Sequence, residues 1–289
     1  MQVIVVDDWI AIGIQVILVL SVNMVSGYAR QLSLGQAAFA GIGAYTSALL
    51  VVRLQVSFWL ACPLSILLSA AVGAMLGAPV LRAVRYYVPV MTFTLNVLVF
   101  HLLRLGRLLG EPVGLGRIPR PKLFDSRLSP QVYLGLVAGA IACCLLVEWV
   151  FRRSAIGKSL SEMADDREDH GLKPRHAAVY IALVISAAMA GFAGSLLAHF
   201  AGFISPFDFD IETSLFALAV AAFGGLGFLP GVLISVVGLG LVLEHFQGLM
   251  PYRFWFAGVV FLLASMGWPW FHQRPPRPTP LQPQDVEAK

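Results

Sequence analysis

The sequence predicts an all-α fold: a polytopic transmembrane helix bundle with eight or nine spans, one of them discontinuous. Three observations predict it. The 289 residues are 58% hydrophobic and 12% charged, with mean hydropathy +0.80, whereas soluble domains hold about 25% charged residues. Runs free of Asp, Glu, Lys and Arg repeatedly reach the ~20 residues that cross a bilayer core. None of them shows the alternation, over about ten residues, of an outer-membrane barrel.

The same composition narrows the functional classes. The net charge of +4 and pI near 9.1 follow from basic residues that flank apolar runs, and no stretch interleaves basic with aromatic residues as a nucleic-acid surface does. Cys62, Cys143 and Cys144 all fall in apolar runs. They read as small buried hydrophobes, with no disulfide or metal spacing. The first apolar run follows Asp7 and Asp8, lacks the basic flank of a signal peptide and is expected to be retained.

In chain order, the charge-free runs are Trp9–Ala29, Gln31–Val52, Leu54–Leu81, Tyr86–Leu103, Leu128–Val147, His176–Phe207, Thr213–Leu243 and Phe254–Gln273. Thr213–Leu243 is interrupted by GGLGFLPG, Gly224 to Gly231. It reads as two short spans or one broken helix, since Gly and Pro free backbone groups that protein or water must satisfy. Small residues recur at four-residue spacing, which lets helix backbones approach closely. Ala40, Ala44 and Ala48 form such a stripe, as do Gly73 with Gly77, Ala187 with Gly191 and Ser195, and Ala190 with Gly194, Ala198 and Gly202. The domain division is a membrane domain over 1–271 and a proline-rich tail over 272–289, too polar and stiff to pack.

Arg152 to His176, RRSAIGKSLSEMADDREDHGLKPRH, breaks this apolar pattern with six basic and five acidic residues. Ile156, Leu160 and Met163 make an apolar stripe on a short helix from Gly157 to Glu168, which Gly171 and Pro174 then stop. Such a helix at a membrane surface is either a solvated connector or a shape that another protein grips. The loops Arg104–Arg127 and Arg152–Arg175 face opposite sides and each holds six basic residues. The remaining loop charges tilt the 152–176 side towards the cytoplasm.

Polar side chains inside spans are costly and face protein or a water-filled path. Gln15 and Asn23 share a face of the first span, Thr92 and Asn96 share a face of the fourth, and Ser33 and Gln36 sit where the first span turns into the second. Asn23, Gln31, Ser33, Gln36, Thr92 and Asn96 are the candidates for a translocation path. The alternative for each is interhelical hydrogen bonding, and it stays open. His101 and His199 read as satisfied core or interface histidines. Glu148 and Glu244 lie near span ends, where a carboxylate can reach the interface. No span places an acid at its centre, as a proton-driven carrier requires. No nucleotide-binding G-x-x-x-x-G-K-[ST] loop, H-E-x-x-H or nucleophile elbow is present; catalysis, a cofactor and a bound metal are not expected.

Four stretches in order coincide with one family. GYARQLSLGQAAFAGIGAYTSALL (Gly27–Leu50) resembles the second-span signature of the permease subunits of branched-chain amino-acid ABC importers, of the LivM type. SAIGKSLSEMADD (Ser154–Asp166) with VISAAMAGFAGSLLA (Val184–Ala198) resembles their coupling segment and the span after it. ISPFDFDIETSLFALAVAAFGGLGFLPGVL (Ile204–Leu233) resembles their Ser-Pro loop and Gly-Gly-Leu-Gly turn. EPVGLGRIP (Glu111–Pro119) resembles their extracellular Gly-rich loop.

The resemblance implies a permease that pairs with a second, LivH-like permease subunit and sits on two cytoplasmic ATPase subunits in the bacterial inner membrane. A periplasmic solute-binding protein would deliver the solute, and ATP would be bound by the partner subunits. By match to the family segment, the ATPase-coupling residues would be Gly157, Lys158, Ser159, Leu160, Ala164, Asp165 and Asp166, with Gly171 closing the segment. Three features depart from the family pattern. The usual hydrophobic segment ahead of Trp9 corresponds here to MQVIVV, and the stretch from Gly157 to Gly171 is about three residues short, near one helical turn. An extracellular Gly-Gly pair has become Gly110 with Glu111 and Pro112. The competing readings are an ATP-independent secondary carrier or channel, and a membrane scaffold that transports nothing.

Overall fold

The computed structural model describes residues 6–81, 87–105, 114–123, 126–157, 172–245 and 259. Helix α1, Val6–Val22, continues as a π-helical segment, Asn23–Tyr28. It is followed by α2 Gln36–Val52, α3 Phe58–Gly77 with a 3-10 turn Ala78–Leu81, and α4 Tyr87–Leu105. Then come α5 Pro130–Arg153, α6 Leu172–Ala201, a 3-10 turn Pro206–Phe209, α7 Ile211–Gly224 and α8 Leu229–His245. Among the described residues the fold is helical, apart from a two-residue antiparallel pair, β1 Lys122–Leu123 with β2 Ser126–Arg127, inside what reads in the sequence as a plain loop.

Among the described residues, five helices have the length and hydropathy of a membrane span: Val6–Tyr28, Phe58–Gly77, Val88–Leu105, Pro130–Arg153 and His176–Ala201. Three apolar helices are shorter, and each has a local reason. Helix α2 starts at Gln36 rather than near Gln31 because the amides of Ser33 and Leu34 turn to the hydroxyls of Ser26 and Thr92, at 3.4 and 3.0 Å. The expected break in Thr213–Leu243 falls between α7 and α8, where Gly225 and Gly227 take φ of +88° and +86°, a region open to glycine at little cost. Pro174 lies in the first turn of α6, where its missing N–H removes no intrahelical bond. Apart from residue 259, the expected span Phe254–Gln273 and the tail from 272 lie outside the described residues.

Helices α1 and α6 are the centre: 78% and 67% of their spans are buried, against 33%, 33% and 28% for α3, α4 and α5. The glycine stripes set how closely they meet. A Cβ added at Gly194 would lie 2.6 Å from the Ala40 carbonyl carbon, and one at Gly43 would lie 2.5 Å from Gly191 Cα. Helix α3 joins the seam beside α2, with Gly73 against Ala187, Gly77 against Tyr180 and Ser69 Oγ donating to the Phe39 carbonyl.

A polar clasp closes the seam at the end away from Arg152. His199 Nδ1 pairs with the Pro119 carbonyl at 2.9 Å and Nε2 with Ser47 Oγ at 2.8 Å, while Ser195 Oγ donates to Ser47 Oγ at 2.9 Å. A proton on Nδ1 satisfies every member, since a carbonyl can only accept. His199 is fully buried, while His101 is exposed on α4 with Nδ1 on its own helix's Val97 carbonyl. The segment Gly114–Lys122 is strapped across this end by Leu115–Ile204 backbone pairing and by Trp59 Nε1 donating to the Lys122 carbonyl.

Cys62 and Cys144 are buried as expected, but Cys143 is exposed. On a helix that packs along one side only, successive residues are turned about 100° apart, so one apolar neighbour can face the core and the next face outward. Hydropathy alone does not distinguish them.

Candidate translocation seam and coupling end

Gln36 is the hub of the polar seam. At the N-terminus of α2 it is fully buried, with Nε2 donating to Ser186 Oγ of α6 at 2.8 Å and to Ser33 Oγ at 3.2 Å. Its Oε1 accepts from Ser21 Oγ of α1 at 3.1 Å, and Ser186 Oγ donates on to the Ser21 carbonyl at 2.7 Å. One side chain thus pins three elements. Interhelical hydrogen bonds in bilayers average about 0.6 kcal/mol.

Beside it, Ser214 joins the start of α7 to two neighbours. Its hydroxyl accepts from the Ala37 amide at 2.9 Å and from Asn96 Nδ2 of α4 at 3.0 Å. Thr92, one turn before Asn96, donates back to the Val88 carbonyl at 2.8 Å and accepts from the Leu34 amide. Asn96 Oδ1 is buried and unpaired, a state that costs about 1–3 kcal/mol. Gln31 is buried in the link between α1 and α2, its amide on the Val25 carbonyl at 3.2 Å. Gln31, Ser33, Gln36, Thr92 and Asn96 are therefore gathered around the start of α2. Ser21, Ser186 and Ser214 complete the network. The sequence reading passed over them because a single serine in an apolar run leaves no periodic trace.

Asn23 belongs to a second polar group. Its Oδ1 accepts from the Gly227 amide at 2.8 Å, in the turn between α7 and α8. Its Nδ2 has no hydrogen-bond partner and lies within electrostatic reach of Glu148 on α5, whose Oε2 accepts from the Tyr28 hydroxyl at 3.4 Å. Glu148, expected to reach the interface, is instead 0% exposed. It sits five residues from the end of α5 at Arg153, close enough in sequence to reach water, but on the face that α5 turns towards α1.

Of the coupling residues, Gly157 is described; Lys158, Ser159, Leu160, Ala164, Asp165, Asp166 and Gly171 lie outside the described residues. The chain folds back on α5 here. Ser154 Oγ donates to the Phe151 carbonyl at 2.6 Å and accepts from the Gly157 amide at 3.2 Å. A Cβ at Gly157 would collide with the Phe151 carbonyl oxygen and lie 3.0 Å from Arg152 Cα.

A family model for the permease component of branched-chain amino acid transport systems matches residues 7–265. The chain belongs to that family. Two similar proteins are the high-affinity branched-chain amino acid transport system permease protein LivM of Escherichia coli (strain K12) and that of Salmonella typhimurium (strain LT2). Each is 32% identical over 88% of this chain, which spans 66% of the relative's length. No solved structure matches the chain. As a member of this permease-component family it is a multi-pass membrane protein. The family match runs through all four stretches that carry the resemblance. Three of them meet in space: Gln36 with Ser186, Ala37 with Ser214, and Gly27 beside Gly227.

Proposed function

We propose that this chain is the transmembrane permease subunit of an ATP-driven importer, moving branched-chain or related small amino acids, or similar small organic solutes, across the bacterial inner membrane by alternating access. Its partners are a second, LivH-like permease, two cytoplasmic ATPases and a periplasmic solute-binding protein. The observation that supports this best is the convergence of three family stretches on the start of α2, where short helices and irregular backbone are held inside a helical bundle. Non-helical backbone at that depth is tolerated where it is buried in protein or lines a cavity. Asn23, Gln31, Ser33, Gln36, Thr92 and Asn96 would border the path, and residues 157–171 would dock on an ATPase. Eight or nine spans remain the proposed count, with α7 and α8 forming the discontinuous one. ATP hydrolysis would bias which access state is populated.

The secondary-carrier reading has one observation in its favour, the buried Glu148, although about 8 Å of helix rise separates it from Arg153 at the end of α5. Purification through a tag on this chain distinguishes the two. An importer brings a second permease and ATPases with it, and its hydrolysis rises when loaded binding protein is added. A chain that purifies alone and moves leucine into liposomes without ATP is a carrier.

A further inference from the structure

A carboxyl group enclosed in a membrane helix is costly, and removing water from an unpaired charge costs several kcal/mol. Glu148 is a buried carboxyl only half satisfied, with Oε2 accepting from Tyr28 and Oε1 lacking any hydrogen-bond partner. A leucine there would pack without that cost, so stability does not account for it. Ionisable residues inside spans mark function by default, and the surroundings of Glu148 indicate which function.

One turn further along α5, the Arg152 guanidinium lies 5.3 Å above the Tyr28 ring, while Glu148 receives the Tyr28 hydroxyl. Tyr28 is thus gripped from two sides by the last turns of α5. Ser154 and Gly157 fold onto the same turns, so the start of the coupling segment and the grip on Tyr28 form one unit. Tyr28 ends the π-helical segment that Asn23 opens, and such segments occur frequently at functional sites. Asn23 in turn accepts from Gly227. A Cβ at Gly27, between them, would lie 2.5 Å from the Gly227 nitrogen. The Gly225–Gly227 turn joins α7 to α8. A continuous line of contacts runs from Gly157 to the broken span.

We propose that Glu148 and Tyr28 are positioning residues that transmit movement of the coupling segment, through the π-helical segment, to the turn between α7 and α8. The proposal rests on the coupling role assigned above to residues 157–171. Apolar packing of Phe151 with Met24, Val88 and Ala178 joins the same region, but apolar burial is non-directional. A hydroxyl held by a buried carboxyl fixes register, which is the best-attested use of buried polar groups.

The test uses the complex isolated through a tag on this chain, reconstituted with binding protein, with leucine as the probe solute. Hydrolysis and uptake are read from one preparation for wild type, Tyr28→Phe, Glu148→Leu and Glu148→Gln. Transmission predicts basal hydrolysis within about twofold of wild type in Tyr28→Phe and Glu148→Leu, with leucine moved per ATP falling about tenfold, within the usual range of allosteric coupling. Glu148→Gln still accepts the Tyr28 hydroxyl and should recover most of the ratio. An unchanged ratio in assembled Tyr28→Phe overturns the proposal. So does a parallel loss of hydrolysis and uptake, the mark of a structural role. If Glu148→Leu does not assemble, Tyr28→Phe decides alone, since it removes one oxygen. A wild-type chain that purifies without ATPases removes the importer reading and this proposal with it.

Discussion

Helices α5 and α6 each carry a close pair of glycines, and the pairs have opposite surroundings. On α6, Gly191 and Gly194 are buried against α2 and α3, where an added Cβ would strike Ser69 or the Ala40 backbone. On α5, Gly135 and Gly139 face outward, and an added Cβ would meet nothing within 4 Å. Small residues permit close approach without choosing a partner. What distinguishes the α6 pair is polar pinning on either side of it: Gln36 with Ser186 before, and Ser47 with Ser195 and His199 after. The buried polar groups of α5, Tyr133 and Glu148, point inward to the Leu196 carbonyl and to Tyr28. Its outer face presents Cys143, Leu146, Trp149 and Val150.

The sharpest way to break the contrast is to fill the packed site. Gly194→Leu should cost at least about 3 kcal/mol, the upper range for overpacking, because the obstruction is backbone and cannot rotate away. Loss of monodisperse protein in mild detergent, with Gly194→Ala intermediate in thermal melting, is the expected result. A Gly194→Leu chain that melts like wild type would show that the seam opens far more readily than its contacts suggest.

The next largest effect tests the pinning. Gln36→Leu removes three side-chain bonds at roughly 0.6 kcal/mol each, so a loss of about 2 kcal/mol is expected in thermal or steric-trapping measurements. Ser186→Ala, which removes one of those Gln36 bonds and its own bond to the Ser21 carbonyl, should cost about two thirds as much, and the double variant should fall short of the sum because the pair interacts. Strict additivity would mean that the network is a set of independent contacts.

Asn96→Leu comes next. It removes one bond to Ser214, worth about 0.6 kcal/mol, while also removing the unpaired Oδ1, whose cost of about 1–3 kcal/mol offsets that loss, so melting should be unchanged or raised. Uptake is the informative readout. A drop well beyond the change in melting gives Asn96 a place in the path, and equal small changes return it to helix packing.

The sequence made some of this legible for physical reasons. Hydropathy exposed the spans because the bilayer imposes one strong requirement on all of them. Four-residue spacing revealed the α6 stripe, and GGLG marked the break between α7 and α8. Other features depend on partners distant in sequence. Nothing local to Glu148 says that Tyr28, 120 residues away, will cover it, and a carboxylate near a span end is ordinarily free to reach water. The early end of the helical pattern before Gln36 was hidden for the same reason, since Thr92 and Ser26 draw the amides aside. Asn23 and Gln36 read as members of one candidate translocation path, yet they serve different groups. A single turn of π-helix, absent from any hydropathy profile, lies between them.

The smallest effect should come from Gly135→Leu. On this chain alone the substitution meets no atom, and surface changes of that kind stay within about 0.5 kcal/mol; exchanging Gly for Leu in a helix interior even favours the helix slightly. Melting of the isolated chain should therefore be unchanged or slightly raised. In the assembled complex the outcome depends on what α5 faces. If lipid covers Gly135 and Gly139, assembly with the second permease is unaffected, as a leucine is at home in hydrocarbon. If another helix lies there, a four-carbon side chain holds it off and assembly fails while the fold persists. Measuring both properties on one variant distinguishes a glycine pair that merely fits a helix from one that waits for a neighbour, which is the distinction that α6 and α5 present.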